Sequence, residues 1–193
     1  MQIEPKVLAS THVRLEPVTE SHRAGLYAAC QADPKTWRDL YPYSLMGEHF
    51  DANWPRFYGS PDVDRINFAI MVAGRCQGVS SYLTLDPVNS SLEIGGTFLH
   101  PEVRGGAVNP SSKRLLLGYA FESGARRVQF KVDAINARSR SAVCKLGAIQ
   151  EGILRRDRVV WTGRVRDTVV FSILSDEWPA VREGLDARLA AFG

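Results

Sequence analysis

Residues 92–121 constrain the fold of this chain more than any other part of its sequence. A strand pattern at 92–99 is followed by a glycine-rich segment at 104–108 and then by a helical pattern that opens at Asn109-Pro110. Asn is favourable just before a helix, and Pro suits its first turn. This order brings free backbone N–H groups to the positive end of a helix dipole. The segment therefore predicts an anion site, of the kind that holds the pyrophosphate of a cofactor.

The size and composition of the chain agree with one ordinary domain over residues 1–193. Hydrophobic residues make up 45% and charged residues 23% of the sequence, which is typical of globular proteins that bury a core of their own. The net charge of +3 suits an anionic ligand, but no dense basic block alternates with aromatic residues. We therefore expect no nucleic-acid partner.

The cysteines and the hydropathy pattern bear on the environment of the protein. Cys30, Cys76 and Cys144 stand alone in the sequence, without a CxxC pair or the spacing of a metal site. They are expected to be reduced, as in cytosolic proteins. No apolar run approaches the ~18 residues that a membrane span needs, and no leader is visible at the N-terminus. We predict a cytoplasmic protein with no metal and no membrane partner.

Alternating and helical patterns predict strands and helices in mixed order. The strands are expected at 13–15, 66–72, 79–85, 92–99, 128–132, 149–161 and 166–174. The helices are expected from Thr19 to a stop at Asp33-Pro34, in a short or broken form at 50–57, and at 110–123, 136–146 and 178–192. This order predicts an α+β fold, classed as α/β by some schemes.

Two short motifs follow the strand–loop–helix unit. One is Asn136-x-x-Ser139 at a helix start, and the other is Lys145-Leu146-Gly147-Ala148 with Glu151-Gly152 after it. Together with the element order over residues 7–189, these motifs resemble the GNAT superfamily of acyl-CoA-dependent N-acyltransferases, above all its RimJ/RimL-type ribosomal-protein N-acetyltransferases. The resemblance implies a GNAT-like, mostly antiparallel central sheet of about seven strands. Such a sheet splays between its fourth and fifth strands and carries helices on both faces.

The resemblance also implies that acetyl-CoA binds at the loop as co-substrate. Backbone N–H groups of residues 105–109 would hold the pyrophosphate, with Arg104 or Lys113 adding charge, while unpaired strand groups and Asn136 would hold the pantetheine arm. The residues expected to contact the cofactor are Phe98, Leu99, Arg104, Gly105, Gly106, Ala107, Val108, Asn109, Lys113, Asn136 and Ser139. Taken alone, the loop also fits an ordinary strand-to-helix connection.

One departure from the family pattern concerns this loop. The usual phosphate loop reads Arg/Gln-x-x-Gly-x-Gly/Ala, whereas here Ala107 occupies the fourth position and Asn109 the sixth. Ala adopts a positive φ less readily than Gly. Either the loop has a different shape, or Gly105 and Gly106 adopt the unusual dihedral angles.

Glu93 and Ser139 are the predicted catalytic residues. An attacking ammonium must first lose a proton, so a base or a relay is expected, and Glu93 on this strand could be that base, directly or through water. Gly95-Gly96 beside it predicts a strand bulge. Ser139 would protonate the departing thiolate, because no Tyr follows Asn136 to fill the role that a Tyr has in many superfamily members. The alternatives are a solvent-facing Glu93 and a Ser139 that merely belongs to a capped helix start.

The aromatic segment Trp37, Tyr41, Tyr43 and Trp54 is expected to line the acceptor pocket or to pack in the core. The expected reaction is direct attack on the thioester by a primary amine, which belongs to a small molecule or to a peptide N-terminus. The resemblance also allows a homodimer. One alternative is a non-catalytic acyl-CoA-binding regulatory module. Another is an enzyme for a different donor such as succinyl-CoA, because the arginines from Arg155 onward could suit an acidic acyl group.

Overall fold

In the computed structural model, which describes residues 1–58 and 64–193, the strands form one sheet. The eight strands of the described residues are β1 (Leu8–Ala9), β2 (Arg14–Pro17), β3 (Ile66–Val72), β4 (Arg75–Asp86), β5 (Ser91–Leu99), β6 (Arg127–Asp133), β7 (Ile149–Val159) and β8 (Val165–Leu174). They lie in the order β1-β2-β3-β4-β5-β6-β8-β7. Every neighbouring pair is antiparallel except β5 and β6, which are parallel.

Helices cover both faces of this sheet. They are α1 (Arg23–Gln31), α2 (Pro34–Leu40), α3 (His49–Asn53), α4 (Val108–Glu122), α5 (Ala137–Cys144) and α6 (Trp178–Ala190). Leu26, Trp37 and Phe50 of α1–α3 form one apolar core with the sheet, and Leu116 and Leu185 of α4 and α6 belong to a second one. The predicted α+β fold is confirmed. Within the described ranges, no helix has the length and apolar character to cross a membrane.

The structure contains two elements that were not predicted. The sheet has eight strands where about seven were expected, because β1 adds a two-residue edge strand that pairs Leu8 with Leu15. Two residues are too few to show an alternating pattern. The predicted stop of the first helix at Asp33-Pro34 is confirmed, since α1 ends at Gln31, but the separate helix α2 that begins at Pro34 was not expected. The Asp33 carboxylate accepts a hydrogen bond from the Thr36 N–H at 3.0 Å, and Pro is suited to the first helical position.

The splay of the sheet is confirmed between β5 and β6, the fourth and fifth predicted strands. Their parallel pairing includes only three residue pairs, the last of which joins Glu93 to Gln129. Beyond Glu93, a bulge shifts the register of β5 against β4, and Gly96 adopts a φ of +59° there. The second half of β5 therefore has an open edge on its β6 side.

The helix after the loop begins earlier than predicted. Its first residue is Val108, so Asn109 is the second helical residue and not the cap. Ala107 occupies the cap position with a φ of −67° and no capping side chain. Pro110 still lies in the first turn, where its missing N–H leaves no helix bond unmade. No side chain of the described residues therefore caps the N-terminus of this helix.

Candidate functional site

Two cavities adjoin where β5 and β6 separate. The loop cavity is lined by Arg104, Gly105 and Lys145 among others and has a volume of about 380 Å³. The strand cavity is lined by Glu93 and Lys131 among others and has a volume of about 420 Å³. The residues that line both are Tyr41, Thr97, Asn109, Asn136, Ser139 and Ala142. These shared residues mark the place where the two cavities meet.

The loop before α4 presents a row of free backbone donors. In the part of the chain that the structure describes, the N–H groups of residues 105–109 donate to no protein acceptor, and the first α4 bond runs from Ser111 N to Ala107 O at 2.9 Å. Gly105 takes the positive φ, +83°, whereas Ala107 has an ordinary helical one. The loop therefore turns at Gly105 alone and needs no glycine at the fourth position. Such donors at a helix N-terminus favour an anion.

Arg104 braces this loop and is not a free cation. Its Nη1 lies 2.5 Å from the Asp33 carboxylate, and its Nε donates to the Leu99 carbonyl at 2.8 Å. The guanidinium thus ties the loop to α2 and to the end of β5. Positive charge in the loop cavity comes instead from residues of α5, α6 and the segment between α5 and β7. They are Arg138, Lys145 and Arg188, and none of them forms an ion pair within the described residues.

Asn136 and Ser139 stand at the meeting point of the cavities. The Asn136 Oδ1 caps α5 by accepting from the Ser139 N–H at 2.9 Å. The prediction of this cap is confirmed. Because the cap uses only the oxygen, the Asn136 side chain keeps its NH₂ group for another partner. The Ser139 side chain lines both cavities.

The open edge of β5 exposes alternate residues. The Thr97 carbonyl accepts from the Tyr41 hydroxyl, and the Leu99 carbonyl accepts from Arg104, so both turn away from β4. The Phe98 carbonyl lies on the opposite side, against Gly78 of β4, where a Cβ atom would be only 2.1 Å from it. Phe98 and Leu99 both line the loop cavity. Of the two, only Leu99 directs its carbonyl to the splay, and Thr97 is its counterpart.

Glu93 is buried in the strand cavity. Its carboxylate lies 3.6 Å from the Lys131 ammonium, and burial raises its pKa above the usual range although nearby Lys131, Arg158 and Arg166 oppose this. A Cβ atom on Gly95 would come within 2.7 Å of the Glu93 Oε1 atom, so the space over this glycine is what admits the carboxylate. The alternative of a solvent-facing Glu93 is therefore wrong.

The predicted aromatic residues separate into two groups. Tyr41 and Tyr43 line the strand cavity, and in the described part of the chain the buried Tyr43 hydroxyl has no hydrogen-bond partner. Trp37 is fully buried and stacks on Phe98 with 4.7 Å between ring centroids. Trp54 is also buried, and its Nε1 donates to a Glu20 carboxylate at 2.9 Å. The two tryptophans belong to the α1–α3 core and not to the cavity wall.

Lys113 lies in the wall of the strand cavity and not at the loop. Its Nζ donates to Thr97 Oγ1 at 2.6 Å and to Ser80 Oγ at 3.1 Å. The residue is only 5% exposed, and burial lowers its pKa to about 7. The expected contribution of this lysine to an anion site at the loop is thus not supported by its position.

Sequence reasoning missed several residues that line these cavities. They are Arg138, Lys145 and Arg188 in the loop cavity and Arg56, Lys131 and Asp133 in the strand cavity. Lys145 lies in one of the short motifs, and its position there was the available signal. Arg188 follows the loop by more than eighty residues, and no local pattern marks it. Among the described residues, no cluster of three or more His, Cys, Asp or Glu residues could hold a metal ion.

Comparisons with known proteins identify relatives of the chain. A family model of the acetyltransferase (GNAT) domain matches residues 12–149. A structure from T. thermophilus, described as a "putative acetyltransferase", is 37% identical with a TM-score of 0.88 and covers 98% of this chain and 100% of that one. A GCN5-related N-acetyltransferase from Brucella melitensis is 29% identical with a TM-score of 0.88, covering 97% of this chain and 86% of that one.

A more distant neighbour shares the fold. Mycobacterium smegmatis RimJ in complex with CoA-disulfide is 21% identical with a TM-score of 0.84, covering 97% of this chain and 96% of that one. At this identity the similarity is evidence for the shared fold alone. No curated protein matches the chain.

Proposed function

Because the chain belongs to the acetyltransferase (GNAT) family and is an acetyl-CoA-dependent N-acetyltransferase, we propose that it acetylates the N-terminal amine of a peptide by direct attack, where the two cavities meet. One observation carries this proposal. A row of free N–H groups at residues 105–109 opens into a cavity that adjoins the buried carboxylate of Glu93. The first feature suits the diphosphate of acetyl-CoA, and the second suits an amine that must lose a proton.

The cofactor is held by main chain more than by side chains in this proposal. The N–H groups at the start of α4 bind the pyrophosphate, and the helix dipole adds to their attraction. The open edge at Thr97 and Leu99 binds the pantetheine arm, together with the NH₂ group of Asn136. Arg138, Lys145 and Arg188 supply the positive charge for the phosphates. When bound, the cofactor supplies an activated acetyl group as a thioester.

Glu93 serves as the general base. Burial raises its pKa, which brings a carboxylate closer to the working pH and makes it a better proton acceptor. It accepts one proton from the acceptor ammonium, directly or through water, so that the neutral amine attacks the thioester carbonyl. A backbone N–H on the open edge of β5, near Leu99, stabilises the oxyanion that develops. The Ser139 hydroxyl, which lines both cavities, lies beside the path of the thioester.

The nature of the strand cavity supports a peptide as acceptor. Its walls carry both signs of charge, from Arg56, Arg65 and Arg158 and from Asp64 and Glu93. A peptide N-terminus offers an amine together with backbone carbonyls that arginine side chains can bind. A structural neighbour from Salmonella typhimurium is described as modifying the N-terminal serine of ribosomal protein L7/L12, although it is only 17% identical.

Two measurements test the proposed function. Calorimetry with CoA is expected to detect binding, and a thiol-release assay with acetyl-CoA is expected to give turnover with a lysine-free peptide that begins with Ser. The matched control is the same peptide with a blocked N-terminus, which should release no thiol above background.

Absence of CoA binding would contradict the cofactor site. Turnover that is confined to polyamines or lysine side chains, or preference for succinyl-CoA, would contradict the acceptor or the donor. Binding without turnover on any amine would favour a regulatory module.

A further inference from the structure

Lys113 is a buried lysine that has no carboxylate partner among the residues that the structure describes. Two hydroxyl oxygens, Ser80 Oγ and Thr97 Oγ1, accept from its Nζ, and these two oxygens lie 2.7 Å from each other. No salt bridge to Lys113 occurs within the described residues. An ammonium has three protons to donate. With two of them engaged by Ser80 and Thr97, the third is available to the strand cavity that Lys113 lines.

The position of Lys113 connects it to the place where the cavities meet. It follows Asn109 by four residues in α4, so the two side chains lie on the same face of the helix. Asn109 and Thr97 both line the loop cavity and the strand cavity. The Lys113 Nζ is therefore one hydrogen bond away from a residue at the meeting point. This is where the thioester must lie if the cofactor enters from the loop and the amine from the strand cavity.

The reaction needs an acid at this point. The thiol of CoA is chemically similar to that of cysteine, whose pKa is about 8.5, and its thiolate leaves more readily when it receives a proton. A serine hydroxyl such as that of Ser139 is a much weaker acid than a thiol and is a poor source of that proton. An acid that titrates near the working pH is well matched to the task. Burial lowers the pKa of Lys113 to about 7.

We propose that the Lys113 ammonium is the catalytic acid that protonates the departing CoA thiolate, a role that rests on the proposed acetyl transfer. The acceptor ammonium gives one proton to Glu93, and the neutral amine forms the new C–N bond. The C–S bond then breaks, its electron pair stays on sulfur, and a Lys113 proton forms the S–H bond. The second proton lost by the amine nitrogen restores the Lys113 ammonium. Glu93 releases its proton to water, so one proton is released in each turnover.

Other charged and titratable groups face the same space from the elements around Lys113. They are Tyr41 and Tyr43 after α2, Arg56, Asp64 and Arg65 before β3, Glu93 on β5, Lys131 and Asp133 on β6, Arg158 on β7 and Arg166 on β8. Glu93 pairs with Lys131, and Asp133 pairs with Arg164. The Glu93 and Asp133 carboxylates are thus engaged with other cations. Burial is the one cause of the lowered pKa of Lys113.

The pH dependence of turnover tests this role. As pH increases, kcat/KM of the wild type should first rise, because Glu93 loses its proton, and then fall, because Lys113 loses its proton. The result is a bell-shaped pH profile. Lys113→Met and Lys113→Arg should both lose about 10²-fold or more in kcat, as is typical for general acids. The arginine variant is the matched control, because it keeps the positive charge but does not give up a proton near neutral pH. Both variants should lose the alkaline limb.

A second measurement does not depend on turnover. The chain has five lysines, so ¹³C labelling of their side chains allows each Cε signal to be followed as pH rises. The signal that is missing from the Lys113→Met spectrum is assigned to Lys113. The Lys113 signal should titrate well below the ordinary lysine pKa of 10.5. Titration of Lys113 near that ordinary value would overturn the proposal, as would wild-type turnover in Lys113→Met or rescue by Lys113→Arg. If the wild type itself binds CoA but acetylates nothing, the proposed function fails first and the acid role fails with it.

Discussion

The loop cavity and the strand cavity differ in the groups that they present to a ligand. The loop cavity offers backbone N–H groups at the start of α4, where no side chain caps the helix, and its charged side chains brace the loop or add charge. The strand cavity instead contains charged side chains in a buried setting, among them Glu93 and Lys113, whose pKa values burial shifts in opposite directions. Backbone donors at a helix end suit a ligand of fixed negative charge. Buried titratable side chains suit the movement of protons. Substitutions should therefore separate binding from turnover.

The largest effect is expected from Glu93→Gln, which removes the base and keeps the shape of the side chain. We expect kcat to fall by about 10²–10⁴-fold, measured by thiol release, while CoA binding measured by calorimetry stays at the wild-type value. The acidic limb of the pH profile should also disappear, because burial raises the pKa of Glu93 and its ionisation sets that limb. A matching loss of CoA affinity would mean that the two cavities are not separable.

A second effect concerns stability and the strand cavity. The folded-state pKa of Lys113, about 7, lies below its ordinary value of 10.5. Between these two pH values the unfolded chain binds a proton that the folded chain does not, so folding stability rises with pH there. The contribution of Lys113 is present above the unfolded pKa and is lost as pH falls through the folded one.

Denaturant titrations of the wild type and Lys113→Met check this linkage. Between pH 7 and pH 10 the free energy of unfolding of the wild type should increase relative to that of the variant, by up to about 1.4 kcal/mol per pH unit. Groups other than Lys113 titrate in both proteins and cancel in the difference. Parallel curves over this range would show that the buried ammonium is not destabilised.

The third effect belongs to the loop cavity. Gly105→Ala forces a side chain into a positive φ of +83°, at a cost of about 1–2 kcal/mol, so CoA affinity should fall by roughly tenfold with kcat unchanged. Gly106→Ala is the matched control, because Gly106 has no positive φ and its Cβ would have open space. Equal losses in the two variants would exclude backbone shape as the reason.

The smallest effect is expected from Arg188→Met at the edge of the loop cavity. Arg188 is a partly exposed cation that lines the cavity from α6. Pairs between exposed charges contribute about 0–1 kcal/mol and are screened by salt, so CoA affinity should fall by no more than about fivefold at low salt. The difference from the wild type should vanish at high salt. A loss that persists at high salt would mean that Arg188 does more than add charge.

The strand, the glycine turn and the helix of the loop cavity could be predicted because their determinants are adjacent in the chain. The cations Arg138, Lys145 and Arg188 could not, because they come from later elements. The start of the helix was placed slightly too late. Asn109 looked like a cap, but Gly105 makes the turn earlier and the helix starts at Val108. The restart of the helix at Pro34 was missed for a similar reason, since Asp33-Pro34 marks a stop and a start equally well.

The strand cavity was harder to predict because distant residues create it. Glu93 was identified, but its burial depends on Gly95 and on strands that the sequence does not align. Lys113 was assigned to the loop, whereas its partners Ser80 and Thr97 lie on β4 and β5 and bring it to the sheet. Its spacing of four from Asn109 was a usable signal for the face that it occupies. That spacing carries no information about the pKa, which follows from burial in the folded protein.

The most direct test of the division between the cavities is an NMR titration of the ¹⁵N-labelled protein with CoA, compared with acetyl-pantetheine, which lacks the pyrophosphate. We predict that CoA shifts the amide signals of residues 105–109 strongly and that acetyl-pantetheine leaves these five signals in place. Unchanged signals at the start of α4 with saturating CoA, while amides elsewhere respond, would contradict the assignment of this helix end as the diphosphate site.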